Sequence, residues 1–264
     1  MTYPPVRQDP DMDLGLADRV YVLTGATRGL GFATARCLVD EGARVVVSSR
    51  HPDHVDAAVA ELGGPGKVVG VVADLAQGDC AAALVALARA EFGRLDGALI
   101  SVGGPPPGTA LGTTDDDWRT SFETVFLGAV RTARTIAAAL PPGGAIGLVL
   151  SSSARTPIQN LGISNGFRPG LVGVAKDMAD ELGPRGVRVV SLLPGRFLTD
   201  RTRATYGDPD DPTRARAGAA DDVPLRRIGD AAEFGRAAAF LLSPAASYVT
   251  GSAIAVDGGL IRAL

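Results

Sequence analysis

The sequence predicts an α/β protein with a doubly wound parallel sheet of about seven strands, and three observations predict it. Short β-branched runs alternate with longer alanine-rich intervals along the chain. The runs are apolar throughout instead of alternating, as strands are when both faces of a sheet are covered. The repeated strand-helix order then calls for right-handed crossovers and parallel neighbours. With 264 residues, 46% of them hydrophobic and 21% charged, the chain can bury a large core, and one domain spanning 1–264 accounts for it.

Residues 1–13 are polar and proline-containing and read as a flexible arm ahead of the first strand, free to touch a neighbouring subunit. Strands are expected at 20–23, 44–48, 68–72, 97–100, 145–150, 187–192 and 253–256. Helices are expected at 29–41, 53–62, 77–92, 115–140, 163–182 and 230–242. The fourth of these opens on Asp115, Asp116 and Asp117, whose charges suit a helix N-terminus. Residues 196–223 break the rhythm: they are rich in charge, proline and glycine, carry little apolar periodicity and follow the sixth strand. This stretch reads as a lid.

A formal charge of −3 and an isoelectric point near 5.4 argue against nucleic acid or an anionic membrane as partner and favour a small molecule. Cys37 and Cys80 each sit in an apolar, alanine-rich stretch, so packing explains them better than a disulfide or a metal site, and no metal is expected. The N-terminus has no basic segment followed by an apolar run, and no apolar stretch is long enough to span a bilayer; a cytoplasmic protein is expected. His51 and His54 read as surface residues.

The turn Thr24-Gly25-Ala26-Thr27-Arg28-Gly29-Leu30-Gly31 directly follows the first strand and opens the first helix. In that setting glycines let backbone N–H groups approach a pyrophosphate, the helix N-terminus favours its charge, and the last glycine permits close helix-strand packing. The fold expected is therefore of the Rossmann type. The spacing Thr-Gly-x-x-x-Gly-x-Gly resembles the short-chain dehydrogenase/reductase family, and further matches fall at other strand ends. Asp74-Leu75 looks like the family's adenine-contacting pair, and Val102-Gly103-Gly104 resembles the segment that walls the cofactor. Pro194-Gly195, with Thr199 beyond it, and the ending Thr250-Gly251 through Val256-Asp257-Gly258-Gly259 complete the resemblance. An acid after the second strand would accept a ribose 2′-hydroxyl and repel a 2′-phosphate. Here the segment is Ser48-Ser49-Arg50, so Arg50 and Arg28 point to a 2′-phosphate and to NADP(H) as cofactor.

The resemblance also implies a serine after the fifth strand and a Tyr-x-x-x-Lys on the next helix. Ser151-Ser152-Ser153 follows the fifth strand, and the family spacing of thirteen residues from Ser151, with Lys176 fixing the frame, puts Ser164 where tyrosine is expected and Arg168 where lysine is expected. Counting from Trp118 puts Val125 at the position of the family's helix asparagine. An alkyl hydroxyl is a far weaker acid than a phenol, and arginine does not titrate near neutrality. Ser151, Ser164 and Arg168, with Ser153 beside them, are thus the candidate catalytic set. Ser151 can hold a carbonyl or oxyanion and Arg168 can balance negative charge. Tyr206 in the lid is a candidate proton donor, although a loop tyrosine is more often packed at the surface, and Tyr248 is expected to be structural.

The function this predicts is reduction of a carbonyl compound, or of a conjugated acceptor, by NADPH with a non-standard proton donor. The altered triad keeps two alternatives open: a cofactor-binding scaffold or sensor without turnover, and a non-redox isomerisation, elimination or cyclisation. The substrate is expected between 103–107, 151–153, 157–159 and the lid, against mainly apolar walls that suit an aromatic or polyketide-like carbonyl or an acyl-carrier thioester. Arg201 and Arg203 read as solvated charge before they read as anion ligands. The family resemblance implies a homodimer or homotetramer.

Overall fold

The computed structural model describes residues 13–199, 202 and 218–263. Its central sheet contains β1 (Val20–Thr24), β2 (Arg44–Ser49), β3 (Val68–Val72), β4 (Gly97–Ser101), β5 (Ala145–Val149), β6 (Arg188–Pro194) and β9 (Ala253–Val256), in the order β3-β2-β1-β4-β5-β6-β9. Every neighbouring pair is parallel. The short strands β7 (Phe197–Leu198) and β8 (Gly229–Asp230) pair separately. β1 and β5 are buried along their whole length, which explains their uninterrupted apolar sequences. The edge strands β3 and β9 are only partly covered.

On one face lie α3 (Cys80–Phe92), α5 (Gly128–Ala139) and α6 (Gly162–Leu182), sharing one apolar cluster with the strands. The other face carries α1 (Gly29–Asp40) and α7 (Ala231–Leu242). These two pack so closely that a Cβ on Gly235 would lie 2.6 Å from the Ala33 carbonyl oxygen. α2 (Pro52–Glu61) flanks β3, with Val55 and Val59 filling the space above Gly70. The strand order reverses between β1 and β4, and the crevice at the carboxyl ends of these strands is where such sheets bind ligands.

Two expected helices are revised. The interval 115–140 is three pieces: α4 (Asp115–Ser121), a π-helical turn Phe122–Leu127, and α5. α4 starts at a capping box in which Thr114 Oγ1 accepts from Asp117 N–H at 3.1 Å and Asp117 accepts from Thr114 N–H at 3.0 Å. Gly128, just past the π-turn, lies beneath the chain after β3, where a Cβ would stand 3.1 Å from the Leu75 carbonyl oxygen. The third helix begins at Cys80 instead of residue 77, because Asp74 turns the chain first: its carboxylate accepts from Ala76 N–H and its carbonyl from Gln77 N–H.

At the amino edge of the sheet, buried charges are met by protein partners. Asp96 accepts from Arg94 at 2.7 and 2.8 Å and from Val20 N–H at 2.9 Å. Arg188 donates to the carbonyls of Leu241, Ser243 and Val249 at 2.8, 2.8 and 3.1 Å, and its burial pushes the guanidinium below its ordinary range. Burial likewise pushes the Tyr21 phenol up to about 12. No helix among the described residues is long and apolar enough to cross a membrane.

Candidate functional site

A cavity of about 1170 Å³ runs along the carboxyl ends of the strands. It lies just above the roughly 300–1,000 Å³ usual for a small-ligand pocket, so it is large enough for a nucleotide-sized ligand. Thr24, Gly25, Thr27, Arg28, Gly29, Leu30 and Gly31 all line it. Gly25 and Gly29 have φ of 58° and 59°, the left-handed region that favours glycine. Gly31 permits the close approach expected of it: a Cβ there would lie 2.7 Å from the Gly25 carbonyl oxygen. Thr24 Oγ1 donates to the Ser101 carbonyl at 3.0 Å and accepts from Ser101 N–H at 2.9 Å, stitching β1 to β4 at the reversal point. No side chain caps the start of α1, so its first N–H groups are left for solvent or a ligand.

Ser49 and Arg50 line the cavity after β2, and Asp74 and Leu75 after β3. Arg28 and Arg50 are both exposed. His51 and His54, expected at the surface, also line this lobe, His51 exposed and His54 half-buried, with their rings edge-to-face at 5.0 Å. Val102, Gly103 and Gly104 form the wall after β4, and the space a Cβ on Gly103 would fill is open for 4 Å around. Pro194, Gly195 and Thr199 close the lobe from the β6 side. Thr199 sits above the glycine turn, its Cγ2 3.6 Å from where a Gly29 Cβ would be.

The other lobe holds the serines and Arg168. Ser151 follows β5 and its Oγ accepts from Ser153 N–H at 3.1 Å, starting the 3-10 turn Ser152–Ala154. Ser164 and Arg168, four residues apart on α6, face the same way, and both are buried yet line the cavity. Arg168 donates to the Val149 carbonyl at 3.4 Å and to the Gly103 carbonyl at 3.3 Å, joining the ends of β5 and β4. Ser153 lies behind this wall: it is buried, does not line the cavity, and shares a 3.0 Å hydrogen bond with Ser164 Oγ. Ser153 therefore supports Ser164 instead of facing the cavity itself. Val125 lines the cavity from the π-turn, together with Thr124.

Of the segment 196–223, the described parts frame the cavity. Arg196 pairs with Asp222 at 3.0 Å and also donates to the Ala219 carbonyl, tying the β6 end to the helical residues 218–220 and the turn after them. Tyr206, Arg201 and Arg203 lie outside the described residues, as does the N-terminal arm except for Asp13. Tyr248 is fully exposed and does not line the cavity. Cys37 is half-buried and Cys80 buried, and burial pushes both thiols up. No cluster of metal-ligating side chains is present among the described residues.

Sequence reasoning missed Leu260 and Ile261, which also line the cavity. Asp257 accepts from Gly259 N–H at 2.8 Å and from Ile261 N–H at 2.7 Å, curling the chain back over the cavity. The signal was the Asp257-Gly258-Gly259 turn, whose apolar successors had to face something.

Comparison with known proteins agrees with this architecture. Residues 25–261 match the family model described as enoyl-(acyl carrier protein) reductase. The chain is 36% identical over 250 residues to human dehydrogenase/reductase SDR family member 2, mitochondrial, covering 92% of this chain and 86% of the relative. Among solved structures, it is similar to L-sorbose reductase from Gluconobacter frateurii complexed with NADPH and L-sorbose, with a TM-score of 0.88, 30% identity, and coverage of 96% of this chain and 100% of the other. It is also similar to an NADPH-bound short chain oxidoreductase from Pseudomonas aeruginosa described as containing an atypical catalytic center, with a TM-score of 0.87, 28% identity, and coverage of 94% and 98%. The glycine turn at the reversal of a seven-stranded parallel sheet and these likenesses along nearly the whole chain lead to one conclusion: the chain belongs to the short-chain dehydrogenase/reductase family.

Proposed function

We propose that the protein is an NADP(H)-dependent reductase of a carbonyl compound whose site works with Ser151, Ser164 and Arg168 in place of a Ser-Tyr-Lys set. The observation that carries this reading is that Ser151, Ser164 and Arg168 line one end of the cavity whose other end is lined by the glycine turn, Arg28 and Arg50. The residues present fit the cofactor. Gly25 and Gly29 have the positive φ that a tight phosphate-binding turn needs, Gly103 leaves open space, and the exposed guanidiniums of Arg28 and Arg50 on the cavity wall could pair with a 2′-phosphate. NADPH, when bound, supplies the hydride.

The protein's own groups then hold the acceptor. Ser151 and Ser164 present hydroxyls that can donate to the acceptor oxygen, and Ser153 keeps the Ser164 hydroxyl in one orientation through their 3.0 Å bond. Arg168, anchored on two backbone carbonyls, brings a fixed positive charge to the same lobe and offsets negative charge developing on that oxygen. Neither serine is acidic enough to release a proton readily, so the proton that completes reduction comes from water or from Tyr206.

The test is direct. Fluorescence titration with NADPH and NADH should show tighter binding of NADPH, and NADPH should be consumed when aromatic ketones, diketones or conjugated enones are added. Binding with no consumption across such a panel would leave a cofactor-binding protein without turnover. No nucleotide binding at all would overturn the reading. Tyr206→Phe separates the loop phenol from water as the proton source: kcat should fall if the phenol donates and hold if water does.

A further inference from the structure

We propose that Asn165 is a positioning residue that sets which substrates fit, by fixing the Pro157–Ile158 wall relative to the Ser164 hydroxyl; this rests on the reductase reading above. Asn165 is on the first turn of α6, next in sequence to Ser164. Its side chain does not point to solvent. Asn165 Oδ1 accepts from Ile158 N–H at 2.9 Å, and Asn165 Nδ2 donates to the Ile158 carbonyl at 2.8 Å. One amide thus satisfies both backbone groups of a single residue seven positions away, as a neighbouring strand would.

Ile158 lines the substrate lobe, as do Thr156, Pro157 and Leu161. The loop that carries them leaves the 3-10 turn after β5 and reaches α6 without entering the sheet. Its start is held by Thr156 N–H donating to the Ser152 carbonyl at 3.2 Å. Its end is held by the loop after β4: Gly108 N–H donates to the Asn160 carbonyl and Gly162 N–H donates to the Gly108 carbonyl, both at 2.8 Å. Asn160 takes the left-handed conformation there, with φ of 60°. Between these two anchors Ile158 is held to the start of the helix that bears Ser164 and Arg168 by the amide of Asn165 and by Leu161 N–H, which donates to the same Ile158 carbonyl at 3.2 Å. Pinning Ile158 to residue 165 therefore sets the distance from the apolar wall to the hydroxyl at residue 164, since consecutive helical residues move together.

Alanine removes both bonds and an aspartate removes the donor, leaving a carboxylate oxygen against the Ile158 carbonyl. Ile158 keeps the bond from Leu161 N–H in either variant but loses the two-point amide clamp, so the wall can shift, and displacement on the order of 1 Å near reacting groups costs up to about a hundred-fold in rate. Asn165→Ala and Asn165→Asp should each lower kcat/KM for a bulky aromatic ketone by about ten-fold or more while changing it much less for a small diketone. NADPH affinity should stay within about two-fold of the parent, because residue 165 does not line the nucleotide lobe. A structural role alone would lower melting temperature without altering the ratio between the two substrates. If Asn165→Ala does not fold, the near-isosteric Asn165→Asp carries the same measurement. A parent enzyme that reduces both ketones with variants that keep the parent's substrate ratio would overturn the inference and spare the reductase reading. A parent enzyme that binds NADPH and reduces neither would overturn the reductase reading and this inference with it.

Discussion

The two edges of the sheet handle polar groups in opposite ways. At the amino edge, Asp96 and Arg188 are buried and each is met by several protein groups: Arg94 and Val20 N–H for the first, three carbonyls for the second. At the carboxyl edge, the uncapped start of α1, the open space at Gly103 and the hydroxyls of Ser151 and Ser164 face a cavity. Polar groups withdrawn from water need partners, so an edge that supplies them internally is built for stability and one that leaves them facing a cavity is built for a ligand. The same parallel sheet provides both.

The sharpest way to break this comparison is at Arg188. Arg188→Met keeps the volume and strands the Leu241 and Val249 carbonyls, while the Ser243 carbonyl keeps its bond from Ala246 N–H, and it should lower unfolding free energy in urea by roughly 2–5 kcal/mol while leaving NADPH affinity unchanged in the folded protein. A comparable loss of cofactor affinity would show that the two edges are not separable.

Tyr21 gives a smaller effect on the same edge. Its folded pKa of about 12 lies above the ordinary tyrosine value near 10, so folding favours the neutral phenol. That contribution is complete below about pH 10 and is lost as pH rises towards 12, on the order of 2 kcal/mol. Chemical denaturation across this window should show a falling stability in the parent and a flatter line in Tyr21→Phe. A parent stability unchanged from pH 10 to 12 would remove Tyr21 from the amino-edge account.

The smallest effect is expected at the carboxyl edge. Arg50→Ala removes one exposed guanidinium from the nucleotide lobe and should weaken NADPH binding by about ten-fold with NADH binding nearly unchanged, as isothermal titration would report. Equal losses for the two nucleotides would assign Arg50 to the fold or to the pyrophosphate instead.

Local pattern carried most of the architecture. The runs at 68–72 and 253–256 match β3 and β9 residue for residue, and α1, α2, α6 and α7 fall within a residue of the expected bounds at each end. The late start of α3 has a local cause, the turn at Asp74, whereas the break in the fourth helix involves a distant segment. Gly128 and the Leu75 carbonyl belong to different crossovers, so the sequence of 115–140 read in isolation is one helix and the packed protein has a π-turn in it. His51 is at the surface as expected and His54 is half-buried, and the start of α2 brings both to the cavity wall as well.

By itself the sequence determined the strand-helix alternation, the glycine turn and the residues at the expected catalytic positions, because each is encoded in neighbours along the chain. Only the tertiary structure decided how those positions are wired. The fifth-strand serine at family spacing is Ser151, yet the hydroxyl bonded to Ser164 belongs to Ser153, and Arg168 rests on the ends of β5 and β4. Those contacts join residues 11, 19 and 65 positions apart, and a hydrogen bond at 3 Å depends on where the sheet and α6 bring its partners, which spacing along the chain does not encode.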